Sequence, residues 1–129
     1  DGTKIHTTTA VNQHNQYGDL QGILKFRQRS APNTGNFNIQ IDYVRLYRVL
    51  PDRSDLLVVG DNTDQNLLVT GTWAYVNSGW QACGPNLPIG WYYAVSQFQV
   101  IHNHNVGAYD FSGSSVVRTA RWHYDGRCF

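Results

Sequence analysis

The strongest structural signal in this chain is an alternation of apolar and polar residues that begins at Phe37. In the segment FNIQIDYVRLYRVL (37–50), the odd-numbered residues from Phe37 to Tyr43 are apolar or aromatic, and those between them are polar. Successive side chains of a β-strand point to opposite faces, so this pattern predicts a strand with one buried face. Past Tyr43 the apolar residues become even-numbered, and the other side carries Tyr43, Arg45 and Tyr47. The shift predicts either a β-bulge or a strand buried on both faces.

The composition of the whole chain also favours strands over helices. Glu and Met are absent and Lys occurs only at Lys4 and Lys25, so strong helix formers are scarce. Val, Thr, Tyr, Gly, Asn and Gln take their place, a mixture that is typical of strands joined by turns. The chain has 129 residues, of which 41% are hydrophobic and 15% charged, as in a domain that folds alone. We therefore expect a single secreted β-rich domain over residues 1–129.

The first third of the chain contains two further strand-like segments. A Thr-rich segment (residues 3–11) has no fully apolar face, which is typical of an edge strand or of a strand that adds to a partner's sheet. The segment DLQGILKFRQRS (19–30) is interpreted as a strand with Leu20, Leu24 and Phe26 on one face. Its interior glycine disfavours the helix that its apolar residues would otherwise permit.

The second half of the chain predicts a hairpin and two more strands. LLVVG (56–60) and LLVTGTWAYV (67–76) flank the polar segment DNTDQN (61–66), which is interpreted as a hairpin tip. WYYAVSQFQVIH (91–102) is long enough for a central strand, and SSVVRTARWHY (114–124) for a closing strand. Together these segments predict an antiparallel β-sandwich of about seven or eight strands, with a small β-barrel as the alternative.

The two cysteines, Cys83 and Cys128, bear on the cellular location. An even number of cysteines in a Lys-poor, Asn-rich domain favours a disulfide between them. Two buried free thiols are the alternative. Because an oxidised pair implies export, we expect an extracellular protein.

The net charge and hydropathy of the chain argue against several partner classes. The formal charge is +1 and the arginines are scattered, so no field is present that would concentrate nucleic acid. No apolar run approaches the roughly 20 residues of a membrane-spanning helix. We therefore expect neither a nucleic-acid partner nor a membrane span, and no sequence feature calls for a cofactor.

Aromatic residues crowd the middle of the chain and are interleaved with amides. An exposed Trp or Tyr can stack on a sugar ring or anchor a protein contact, and Asn and Gln can pair with hydroxyl groups. Filling of the sandwich core is the alternative role for each ring. Consecutive rings at 91–93 cannot all face one way on a strand. The predicted binding residues of this region are Trp73, Tyr75, Asn77, Trp80, Gln81 and Tyr92.

The row Tyr43, Arg45 and Tyr47 is a second predicted binding surface, because aromatic and Arg side chains are typical interface anchors. A solvated strand face with Arg stacked on Tyr is the alternative. In the segment QVIHNHNVGAYD, His102 and His104 would share one face of a strand and, with Asp110, are candidate metal ligands. The preferred interpretation is that a strand ends in this segment and that its asparagines form a turn.

Three functions are compatible with the sequence. The preferred hypothesis is an exported, non-catalytic module that binds a glycan or cell-surface ligand through exposed aromatic and amide side chains. The first alternative is a protein-interaction adaptor, inhibitor or subunit of a secreted toxin or adhesive assembly, with residues 3–11 as its strand-addition segment. The second is a small nuclease or other hydrolase that depends on His102, His104 or His123. Other catalytic motifs, including G-x-S-x-G and H-E-x-x-H, are absent from the sequence.

Overall fold

The computed structural model describes residues 5–14, 18–28, 37–60, 62–105, 108–111 and 115–126, with the backbone alone described at 62–63, 102–105 and 108–111. The described residues form strands and turns and contain no helix, which confirms the all-β prediction. The strands are β1 (Ile5–Gln13), β2 (Leu20–Gln28), β3 (Phe37–Arg48), β4 (Leu56–Val59), β5 (Asn62–Val69), β6 (Ala74–Asn77), β7 (Gly90–Asn105), β8 (Ala108–Phe111), β9 (Ser115–Arg118) and β10 (Trp122–Tyr124).

These strands make two antiparallel sheets. The small sheet has the order β1-β2-β6, and the large sheet is built on the long pair of β3 and β7. β4 and β5 share the other edge of β3, whereas β8, β9 and β10 share the other edge of β7. Neither sheet closes on itself, so the predicted β-sandwich is confirmed and the barrel alternative is wrong. The Thr-rich segment forms β1 at an edge of the small sheet, in agreement with the first of its two predicted roles.

The core lies between the two sheets. The predicted apolar face of β2 is buried, with Leu20 and Leu24 0% exposed and Phe26 1% exposed. Two groups of buried side chains fill the space, and burial of this apolar area is the main force that holds the sheets together. The larger group is Leu24, Phe26, Phe37, Ile39, Ile41, Val44, Val69, Val76 and Phe98. The smaller group is Leu20, Leu46, Leu87, Tyr92 and Tyr124.

A β-bulge in β3 explains the change of pattern after Tyr43. The register between β3 and β7 shifts between Ile41 and Tyr43, so Asp42 is the extra residue and the predicted bulge is confirmed. Ile41 and Val44 are both 0% exposed although their positions differ by three, which in a regular strand would place them on opposite faces. The bulge therefore keeps both halves of β3 packed on the core and turns Tyr43 and Tyr47 to the outer face.

The sheets approach each other closely at Gly22 of β2. A Cβ atom on Gly22 would lie 3.0 Å from the carbonyl oxygen of Arg45 on β3 and 3.2 Å from the Cβ atom of Ala94 on β7. A hydrogen bond of 2.7 Å between the hydroxyl groups of Thr9 and Ser96 also joins the sheets. Gly22, the interior glycine that disfavoured a helix, therefore allows the close approach, because it has no side chain to separate the two sheets.

The predicted hairpin with a tip at 61–66 is wrong. Residues 62–66 belong to β5, which pairs with the first half of β3, while β4 pairs with the second half. The chain reverses earlier, between β3 and β4, where Asp52 accepts hydrogen bonds from the amide and hydroxyl groups of Ser54 at 3.0 and 2.6 Å. Gly60 has a φ of +115°, a conformation that favours glycine. It lies between β4 and β5, where the chain continues along the same edge.

The predicted closing strand is two strands, β9 and β10, both paired with β7. Thr119 lies between them, where its amide donates to the carbonyl oxygen of Ala94 and its hydroxyl oxygen accepts from the amide of Ala94, both at 2.9 Å. The hydroxyl group of Thr119 thus takes the place of a backbone carbonyl as the acceptor for the amide of Ala94. The central strand is confirmed as β7, which continues to Asn105 before β8 pairs back onto it.

Cys83 lies beside the second core group. Its amide donates to Oδ1 of Asp19 at 2.9 Å, and the hydroxyl group of Tyr124 lies 3.5 Å from its Sγ. Cys83 is not a free thiol. Its predicted partner, Cys128, lies outside the described residues, so the pairing of the two stays a prediction.

Candidate functional site

The outer face of the small sheet combines aromatic, amide and basic side chains. Lys25 of β2 pairs with Thr8 of β1 on one side and with Tyr75 of β6 on the other. Because side chains two residues apart on a strand share a face, this row fixes which residues point away from the core. They are His6, Thr8, Ala10 and Asn12 of β1, Gln21, Ile23, Lys25 and Arg27 of β2, and Tyr75 and Asn77 of β6.

A groove of about 840 Å³ runs over this face and is bounded by Trp73 and Trp80. We call it the outer groove. Its volume is in the upper part of the range of roughly 300–1,000 Å³ that is typical of ligand sites. Three predicted binding residues besides Trp80 line it, namely Trp73, Tyr75 and Asn77. The structure thus brings together four of the six residues predicted in the aromatic region.

Each tryptophan of the outer groove packs against a histidine. Trp73 packs against His6 of β1, and Trp80 packs against His14, the residue that directly follows β1. The rings of His6 and Trp73 have centroids 5.0 Å apart, and those of His14 and Trp80 are 5.7 Å apart. The guanidinium carbon of Arg27 also lies 4.9 Å from the Trp73 ring centroid. His6 and His14 are eight positions apart, which corresponds to at most about 26 Å in a fully extended strand at about 3.3 Å per residue. The tryptophans therefore mark the two ends of an elongated site.

The aromatic side chains of the outer groove are open to solvent. Trp73 is 43%, Tyr75 63% and Trp80 45% exposed. Gln21 lies in the groove lining near Trp80 and is only 4% exposed. Its Oε1 atom is buried and makes no hydrogen bond. Because this oxygen has almost no accessible surface, a ligand in the groove could reach it only after the Gln21 side chain turned.

Local hydrogen bonds hold the loop that carries Trp80. Oδ1 of Asn77 accepts from the amide of Gly79 at 2.8 Å, and the hydroxyl group of Ser78 donates to the carbonyl oxygen of Gly79 at 2.9 Å. Gly79 has a φ of +91°, which an L side chain rarely adopts. After Trp80, the backbone of Gln81 exchanges two hydrogen bonds with Leu20 at 3.2 and 2.7 Å. The loop is therefore fixed on both sides of the tryptophan.

The second predicted surface lies on the outer face of the large sheet. The guanidinium carbon of Arg45 is 3.8 Å from the centroid of the Tyr43 ring, and Tyr47 stacks on Tyr93 with centroids 5.5 Å apart. The guanidinium carbon of Arg118 lies over the ring of Tyr93, 4.8 Å from its centroid. The rings and guanidinium groups thus pack against one another, which is the alternative given for this row. A cavity of about 400 Å³ remains between them.

A hydrogen bond between Tyr93 and Asp55 lies in this second cavity. The hydroxyl group of Tyr93 donates to Oδ2 of Asp55 at 2.6 Å. Burial, together with this bond to the carboxylate, raises the pKa of Tyr93 to about 12. The same bond lowers the pKa of Asp55, with help from the amide of Leu50. Both shifts favour a protonated phenol beside an ionised carboxylate.

We expect the stability of the protein to fall between pH 10 and 12. The pKa of Tyr93 rises from 10.0 to about 12 on folding, so its contribution is complete below pH 10 and is lost as the pH rises to the folded value. Tyr93→Phe should be less stable than wild type at pH 8 and should lose less stability between pH 8 and 12. Urea unfolding at both pH values measures this, with Tyr75→Phe as an exposed control. An equal alkaline loss in wild type and Tyr93→Phe would contradict it.

Two of the predicted binding residues do not face the outer groove. Tyr92 is 0% exposed and donates a hydrogen bond of 2.5 Å to the carbonyl oxygen of Pro88. Its selection as a surface binding residue was wrong, because the strand alternation turns it into the core. The side chain of Gln81 donates to the carbonyl oxygen of Ala82 at 3.3 Å and is not part of the groove lining. Among consecutive rings, Trp91 faces outward and Tyr92 inward, as the alternation required.

Sequence reasoning missed most of the polar lining of the outer groove. His6, Thr8 and Asn12 alternate along β1, and Gln21 and Lys25 along β2. This alternation was visible, but nothing in the linear order placed β6 beside β2. Without that pairing, the polar side chains and the aromatic cluster could not be assigned to one surface.

The candidate metal ligands His102, His104 and Asp110 lie where side chains are not described. The backbone of His102 pairs with those of Phe37 and Asp110. Among the side chains that the structure describes, no group of three His, Cys, Asp or Glu could hold a metal ion. The metal hypothesis for this segment therefore stays a prediction.

Comparison with other proteins gives no family assignment. No protein-family model matches the chain, and a search of characterised proteins finds no significant match. In the described part of the chain, no helix has the length and apolar character needed to span a membrane.

Proposed function

We propose that the protein is a non-catalytic glycan-binding module and that its ligand lies in the outer groove. The observation that carries the proposal is that three exposed rings, Trp73, Tyr75 and Trp80, line one groove together with three amide side chains. Sugar rings have apolar faces and a rim of hydroxyl groups. Such a ligand matches a surface that offers aromatic faces for stacking and amides for hydrogen bonds.

The amide groups of the outer groove supply both kinds of hydrogen-bonding partner. Asn12 and Gln21 are neighbours across β1 and β2, and Asn77 lies on β6. Each amide carries an acceptor oxygen and a donor nitrogen. A hydroxyl group both donates and accepts, so one sugar can pair with several of these groups.

The length of the outer groove favours a chain of several sugars over a single sugar. Trp73 and Trp80 lie on either side of β6, seven residues apart, so at most about 25 Å separates their Cα atoms. A ligand that stacks on both Trp73 and Trp80 must reach from one end of β6 past the other. An extracellular location and a disulfide between Cys83 and Cys128 complete the proposal.

The test is a screen of the protein against immobilised glycans, followed by affinity measurements on two variants. Trp80→Ala removes an exposed ring from the outer groove. Trp91→Ala is the matched control, since Trp91 is 49% exposed and packs on His123 with centroids 4.9 Å apart, but belongs to the large sheet. We expect glycan binding to weaken for Trp80→Ala and to be retained for Trp91→Ala. Equal losses in the two variants would overturn the proposal.

A further inference from the structure

The outer groove is chemically different at its two ends. Towards Trp73 it carries Lys25 and His6, with Arg27 against the Trp73 ring. Towards Trp80 it carries Asn12, Gln21 and Asn77. The strand register separates the two sets, because Thr8 pairs with Lys25 whereas Asn12 pairs with Gln21. One end therefore offers positive charge, and the other offers neutral amides.

Among the described residues that line the groove, no acidic side chain balances the basic end. Of the described residues that line it, none is Asp, while Lys25 is exposed and lies between Thr8 and Tyr75 in the register. All the acids of the chain are Asp, and Asp52 and Asp55 lie in the turn between β3 and β4. An anion near Lys25 would therefore meet basic side chains, and no carboxylate among the described residues that line the groove.

We infer that the outer groove binds a glycan chain that ends in an acidic sugar, with the carboxylate or sulfate at Lys25 and neutral sugars extending towards Trp80. This inference rests on the proposed function and adds the ligand class and its direction. The acidic sugar stacks near Trp73 and pairs with the ammonium group. The neutral sugars pair with Asn12, Gln21 and Asn77.

Single-stranded nucleic acid is the other anionic chain that stacks on aromatic rings. Proteins that bind it use a positively charged groove that follows the whole backbone. Here the positive charge is confined to one end of the groove, and amides occupy the rest. A chain with one charged end fits this distribution better than a chain with a charge on every unit.

The experiment compares four probes on the wild-type protein by titration calorimetry. They are sialyllactose, lactose, lactose sulfated on galactose, and a single-stranded thymidine oligonucleotide. We expect both acidic sugars to bind about tenfold tighter than lactose at low salt, because a charge-assisted hydrogen bond is worth about that factor. The ratio should fall as salt is added.

Substitution of Lys25 then locates the charge. Lys25→Gln should lower the preference for sialyllactose over lactose from about tenfold to near onefold, and Lys25→Arg should restore it. Arg121→Gln, which removes an exposed positive charge outside the groove, should keep the preference.

Four results would overturn the inference. Equal binding of lactose and sialyllactose would contradict the acidic end but leave the glycan proposal intact. An unchanged preference in Lys25→Gln would place the acidic group elsewhere. Tighter binding of the oligonucleotide would assign the groove to nucleic acid. Failure of all the sugars here and of every glycan in the immobilised screen would remove both proposals.

Discussion

The double variant Trp73→Ala/Trp80→Ala is expected to bind its glycan close to a thousandfold more weakly than the wild-type protein. Truncation of an aromatic residue that anchors a ligand costs about 2 kcal/mol. The two rings lie on either side of β6, at opposite ends of the outer groove, so their contributions should add to about 4 kcal/mol. At about 1.4 kcal/mol per tenfold change, this gives the expected factor. Each single variant should lose roughly thirtyfold.

Stability and surface chemistry must be controlled in this comparison. Trp73 and Trp80 are about half exposed, so their removal should leave the fold intact, and unfolding curves check this. Trp91→Ala removes a ring of equal exposure from the large sheet and should bind as the wild type does. A loss below about threefold in the double variant would show that the rings do not anchor the ligand.

Gly22→Val is expected to destabilise the fold by about 3 kcal/mol or more. The first added atom already lies 3.0 Å from the carbonyl oxygen of Arg45 and 3.2 Å from the Cβ atom of Ala94. These neighbours belong to β3 and β7, which are paired along their length, so they cannot move apart easily. The higher strand propensity of Val offsets only up to about 1 kcal/mol of this cost. Urea denaturation measures the change.

The matched control is Ala10→Val, which adds a branched side chain on the outer face of the same sheet. Ala10 pairs with Ile23, next to Gly22 in sequence, but its side chain points away from the large sheet. We expect a change within about 0.5 kcal/mol. Equal effects of the two substitutions would mean that the sheets do not approach closely at Gly22.

The sequence predicted the sandwich because its strongest signals were local. Alternation along β2 and β3, and the shift at Tyr43, follow directly from which side chains the core can accept. The hairpin prediction failed because the polar segment DNTDQN was interpreted as a turn, whereas most of it belongs to β5. Gly60, with a φ of +115°, joins β4 to β5 along one edge. A polar segment at a sheet edge and a polar hairpin tip have the same composition.

The candidate site was only half predictable for a related reason. Trp73, Tyr75, Asn77 and Trp80 are close in sequence and appeared as an unusual aromatic and amide cluster. Lys25 and Gln21 join them only because β6 pairs with β2 across about 50 residues of chain, a non-local contact that no local pattern encodes. Tyr92 is an aromatic residue like its neighbours in the sequence. Only the direction of its side chain in the structure excludes it from the outer groove.

The central claim is that a glycan contacts the tryptophans at both ends of the outer groove. The chain has four tryptophans, and each indole N–H gives one signal in a nitrogen–proton correlation spectrum of labelled protein. On titration with the tightest-binding oligosaccharide, the account predicts shifts for Trp73 and Trp80 and none for Trp91 or Trp122. Shifts confined to Trp91 and Trp122 would contradict it, because they would place the ligand on the large sheet.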